Sequence, residues 1–66
     1  MISDAIEFAK EKVEEAKEVI DAFEYQAQKE HETIYYVISV HLNNLLGDIK
    51  GYLDEIDRRV KEKGVD

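Results

Sequence analysis

The chain contains no cysteine, no proline and no tryptophan, and its three glycines all lie after residue 46. Without cysteine there is no disulfide framework and no thiolate metal site. A chain of 66 residues buries only a little over half of its unfolded surface, so a single core is marginal. The remaining supports are a metal held by other ligands or self-association. Absence of cysteine is compatible with a reducing compartment. No apolar run approaches the ~20 residues that a membrane helix needs. No basic segment followed by an apolar one opens the chain, so no signal peptide is expected. The expectation is one small soluble domain over residues 1–66, cytoplasmic, with no membrane partner.

Positive charge is also scarce. Nine Lys and Arg stand against 16 Asp and Glu, giving a net charge of −7. The isoelectric point is near 4.7. This balance opposes nonspecific binding to nucleic acid and to anionic membranes.

Signatures of chemistry are equally thin. His31 and His41 are the only histidines. Glu24, Gln28 and His31 share a helix face by spacing, but there is no Glu-x-x-His pair, no His-x-x-x-His and no His-Glu-x-x-His. His31 reads as a solvated turn residue and His41 as the border of a packing seam. Ser3 and Ser39 have no local partner pattern for a nucleophile. The segment "GDIKG" lacks the spacing of a phosphate loop. No enzyme activity, cofactor or metal is expected.

What is present is helical patterning. Glu, Lys and Ala, all good helix formers, dominate the first thirty residues. Ile2, Ile6, Ala9, Val13, Ala16, Ile20, Phe23 and Ala27 step by alternating fours and threes, an unbroken heptad seam. Large residues at Ile6, Val13 and Ile20 mostly alternate with small ones, which suits close antiparallel packing. Ser3 or Asp4 can cap the start, and Asp4 and Glu7 suit the helix dipole.

A second seam follows: Ile38, Leu42, Leu45, Ile49, Tyr52 and Ile56, with Leu46, Leu53 and Val60 flanking it. Asp54–Arg58, Glu55–Arg59 and Asp57–Lys61 are i,i+4 pairs with the acid first. Gly64 sits where a C′ glycine belongs, with Val65 placed to contact Val60.

The two seams differ in phase by one residue, and the polar patch "QKEHET", 28–33, fills the gap between them. A short turn there gives two helices of similar length, about 3–29 and 33–63, joined at about 30–32. The turn lacks Gly and Pro, so a single bent helix with a skip residue stays open. Gly47 and Gly51 could divide the second half, yet the seam passes through them in phase. Residues 33–42 have strand character, with Ile34, Tyr36, Ile38, Val40 and Leu42 on one face. Such a strand would have to pair across a dimer.

The stretch "TIYYVISVHLNNLLG", 33–47, holds none of the chain's formal charges. On the helix reading, Ile38, Leu42 and Leu45 enter the seam. Val37, Val40, Asn44, Gly47 and Gly51 take outer positions, with Tyr36, Asn43 and Lys50 beside them. A helix apolar on nearly all sides is usually buried, and in a two-helix hairpin that requires another chain. The expected architecture is therefore an all-α antiparallel helical hairpin assembling as a homodimeric four-helix bundle. Its core and dimer seam would be Ile6, Val13, Ile20, Phe23, Ile38, Leu42, Leu45, Ile49, Tyr52 and Ile56. A face made of Tyr36, Val37, Val40, Asn44, Gly47 and Gly51 is the candidate docking surface for a different protein.

In heptad layering and hairpin length, over both helices, this pattern resembles the small Rop-type helical hairpins. That resemblance implies dimerisation into a four-helix bundle and binding of paired RNA loops. No functional residues match, so none is carried over. Lys10, Lys12 and Lys17 are interleaved with Glu11, Glu14, Glu15 and Glu18, and Arg58, Arg59, Lys61 and Lys63 cluster where the helix dipole already favours cations. Nucleic acid is therefore not the expected partner. The function expected is noncatalytic: a small interaction or regulatory protein that binds another protein. One alternative is an acidic inhibitor of the phage or plasmid type that mimics nucleic acid through Glu7, Glu11, Glu14, Glu15 and Glu18. A second is RNA binding in the Rop manner.

Overall fold

A computed structural model describes residues 1–64. Two helices, α1 (Ile2–Lys29) and α2 (Thr33–Lys63), pack against each other as a hairpin. The Cα trace measures 50 × 15 × 10 Å. Residues 33–42 are helical, and no strand occurs among the described residues, so pairing of a ribbon across a dimer falls away. Gly47 and Gly51 lie inside the continuous α2.

The turn that lacks glycine is built by His31. Its φ is 59°, the left-handed region, where histidine is several-fold enriched among non-glycine residues. Glu32 N–H donates to the Ala27 carbonyl at 2.9 Å, and His31 N–H donates to that of Gln28 at 3.2 Å. These are the two bonds of a Schellman ending, which satisfies carbonyls that α1 would otherwise leave open. The chain then reverses over residues 30–32 and α2 begins.

The other ends differ in how they are capped. Met1 is the N-cap of α1 and no side chain caps it. Ser3 and Asp4 stand inside the first turn, so the expected side-chain cap is not there; Asp4 still complements the dipole. Gly64 ends α2 at φ 67°, with its N–H directed to the Lys61 and Val60 carbonyls. The expected contact of Val65 with Val60 lies outside the described residues.

The core between the helices is small. Ile6, Val13 and Ala27 are the buried apolar residues, and Ile20, Ala9 and Ala16 are half-buried beside them. From α2, Ser39 is completely buried; its hydroxyl donates to the Tyr36 carbonyl at 2.7 Å, which satisfies it within its own helix. Leu46, Leu53 and Val60 are half-buried, as are Tyr36, Val40, Asn43 and Lys50. The α2 residues turned toward α1 are thus those that flank the second seam, while the seam itself faces outward.

Candidate functional site

Helical spacing of ~100° per residue divides the hairpin into two unlike broad faces. On α2 the residues against α1 are Tyr36, Ser39, Asn43, Leu46, Lys50, Leu53, Asp57 and Val60. One side of that line holds Tyr35, Ile38, Leu42, Leu45, Ile49, Tyr52 and Ile56. The other holds Val40, Gly47 and Asp54, and beyond them Val37, Asn44 and Gly51.

The first face is apolar and uncovered. Its α2 stripe keeps a seven-residue repeat over more than twenty residues, and exposure runs from 38% at Leu42 to 68% at Tyr52. The α1 stripe on the same face is Ile2, Ala9, Ala16 and Phe23. The Phe23 and Tyr35 rings meet edge to face, 6.0 Å between centroids and 72° between planes, which ties the two stripes together at the turn end. Ile2 and Phe23 are each close to half exposed, and Val19 at the margin is 69% exposed. Together these side chains form a continuous apolar surface along the hairpin. A lone soluble chain rarely exposes a patch of this extent.

The second face is polar and already zipped. Lys10 reaches Asp54 at 3.0 Å and Asp57 at 3.3 Å. Lys50 holds Glu14 at 2.6 Å. The Asn43 amide donates to Asp21 at 2.8 Å and Glu24 at 3.1 Å. Lys61 reaches Asp57 from the next turn at 3.1 Å. Asp57 is the buried carboxylate, 6% exposed. The bond from Lys61, and then that from Lys10, holds its carboxyl below the usual range although burial works the other way. Asp54 and then Asp57 raise Lys10; Glu14 and Lys50 shift each other, the acid down and the base up. Asp57 Oδ1 and Asn43 Oδ1 are buried without a hydrogen-bond partner. Asp57 and Asn43 thus fix the register of the hairpin with part of their bonding capacity unused.

The charge pairs expected along α2 form in part. Glu55–Arg59 closes at 2.9 Å and Asp57–Lys61 at 3.1 Å. Asp54 turns to Lys10 instead, and Arg58 pairs with Glu62 at 2.9 Å. Only Asp54 gives up its expected partner along the helix for one across the hairpin.

Of the seam residues named from sequence, Ile6, Val13 and Ile20 lie between the helices. Phe23, Ile38, Leu42, Leu45, Ile49, Tyr52 and Ile56 lie on the open apolar face. The proposed docking residues gather on the other side. Val37, Asn44, Gly47 and Gly51 are exposed, while Tyr36 and Val40 are half-buried at its edge. Tyr36, Val37, Val40, His41 and Asn44 line a shallow depression of about 260 Å³. A methyl group added at Gly47 or Gly51 would meet nothing within 4 Å. Periodicity missed the polar set turned toward α1, buried Ser39 and Asp57 with half-buried Asn43 and Lys50, because polar side chains do not register in an apolar pattern; their own spacing of four, seven and seven residues was the available signal.

No three His, Asp or Glu side chains converge to hold a metal ion among the described residues. No described helix is long and apolar enough to cross a membrane. Among the five glutamates considered for charge mimicry, Glu7, Glu14 and Glu15 are engaged by Lys10, Lys50 and Lys12. Compared with known protein families, with curated proteins and with solved structures, the chain matches none of them.

Proposed function

We propose that the hairpin works as a homodimeric antiparallel four-helix bundle, and that it is a noncatalytic interaction or regulatory protein acting by binding another protein. The observation that carries the reading is the uncovered stripe from Tyr35 to Ile56 beside Ile2, Ala9, Ala16 and Phe23. The stripe follows most of the 50 Å length of the molecule. Burying the remaining half of seven large side chains on each of two chains stabilises the dimer by something on the order of 10 kcal/mol, before the cost of association. We read a second surface, Tyr36, Val37, Val40, Asn44, Gly47 and Gly51, as the site for a different protein; these residues are uncharged, and the Asp54 beside them is neutralised by Lys10 at 3.0 Å.

Sedimentation equilibrium tests the first half. The expected result is a helical dimer, and a helical monomer at all concentrations would overturn it. Ile49→Glu places a charge in the self-interface twice per dimer and should weaken association at least ~100-fold. The second half is separable from the first. Val40→Glu or Gly47→Glu should abolish partner binding while leaving the dimer intact. Binding that survives those changes, fails when Glu11 and Glu18 become Gln, and weakens steeply with salt would instead favour the acidic mimic. A mobility shift with structured RNA at moderate salt would favour the Rop-like reading.

A further inference from the structure

We infer that the two copies stack with their turns at the same end, so that α1 of one chain lies over α2 of the other. This deepens the homodimer reading and rests on it. Two two-fold arrangements can cover the apolar face. In one, the axis runs along the hairpin and both turns share an end. In the other, the axis runs across it, the turns lie at opposite ends, and each helix covers its own copy.

The register needed to compare them is set within one chain. Lys10 stands level with Asp54, Glu14 with Lys50, and Asp21 with Asn43. The outer rim of the apolar face, by helical spacing, is Ala5, Lys12, Val19 and Gln26 on α1, and Ile34, His41, Asp48 and Arg59 on α2. With the turns together, Lys12 falls within about four residues of the level of the partner's Asp48, so each lysine has one carboxylate in reach; Glu55 is already held by Arg59 at 2.9 Å. Lys12 is exposed; it pairs with Glu15 on its own helix at 3.1 Å and lies 5.1 Å from the centroid of the Phe8 ring, surface contacts that it can share with a partner's carboxylate. With the turns apart, the middle of α2 crosses its own copy. Asp48 then faces the partner's Asp48 at the axis, a like-charge contact that destabilises. Lys12 faces the partner's Val19 and has no carboxylate of the partner level with it.

Side-chain size favours the same arrangement. The α1 stripe is small in the middle, at Ala9 and Ala16, whereas the α2 stripe is large throughout. With the turns together, Ala16 lies level with the partner's Ile49 and Ala9 with the partner's Ile56, so small meets large in successive layers. With the turns apart, Ala16 crosses its copy while two rows of large residues cross each other, and the two sides of the bundle differ in width.

The chain has no cysteine, so single spin labels can be placed without background. Labels at Glu30→Cys and at Glu62→Cys mark the two ends of the hairpin. In the dimer with its turns together, both label pairs lie within roughly 30 Å, since stacked helices sit ~10 Å apart. Distances near the 50 Å length of the molecule at both ends would overturn the orientation while leaving the dimer standing. Absence of any intermolecular distance, with a monomer in sedimentation, would overturn the dimer itself. A charge variant gives an independent sign. Asp48→Asn should weaken the dimer about two- to fivefold by removing a partner of Lys12; tighter association on that change would mean that Asp48 had faced its own copy.

Discussion

His31 holds a backbone conformation that costs most residues about 1–2 kcal/mol, and it does so in an exposed turn. His31→Gly should therefore raise stability by ~0.5–1 kcal/mol, part of the gain being lost to the freer unfolded chain. A denaturant midpoint measured on both proteins checks this; no gain would mean that the imidazole contributes to the turn. Asp57 makes the opposite case. Its carboxyl is held below its ordinary value by Lys61 and Lys10, so its contribution is present at neutral pH and is lost as pH falls through the depressed folded value, below ~4. Glu14 adds to the same acid limb through Lys50. Lys10 and Lys50, both raised, contribute below ~10.4 and lose that contribution as pH rises beyond it. Asp57→Asn should lower the melting temperature at pH 7 and flatten its decline between pH 5 and pH 2. An unchanged acid limb would show that the buried carboxylate is not what acid removes.

At the scale of the element, α2 combines two demands that its sequence displays unequally. Its existence and extent were legible, because Ile38, Leu42, Leu45, Ile49, Tyr52 and Ile56 keep step through two glycines and Gly64 marks the stop. Which side of it meets α1 was not legible from apolar spacing. The strongest stripe points away from α1, and the hairpin is closed instead by Leu46, Leu53 and Val60 together with the polar Asn43, Lys50 and Asp57. A periodicity reports that a face wants burial, not which chain will bury it. The glycines of α2 give a prediction at this scale. Gly47→Ala and Gly51→Ala meet no neighbour, so each should stabilise the helix by ~0.5–1 kcal/mol. Thermal melts check the gain. A loss on either change would mean that a second chain already approaches the backbone there.

At the scale of the whole molecule, the two broad faces are complementary in purpose. The polar face fixes how α1 and α2 register, through Lys10, Lys50 and Asn43. The apolar face leaves most of the large side chains in solvent, with Ile6, Val13 and Ala27 as the buried apolar set. Such a core is thin for two helices of this length, and on the proposed reading folding and association of two copies are one event. The most direct test is the melting temperature by circular dichroism across a hundredfold range of protein concentration. A folded dimer gains ~1.4 kcal/mol for each tenfold rise in concentration, which for two chains of this size raises the midpoint by about 5 °C per decade. A midpoint that climbs in this way is the result predicted. A fully helical protein whose midpoint does not move with concentration would contradict it, because the hairpin would then be stable with its apolar face bare.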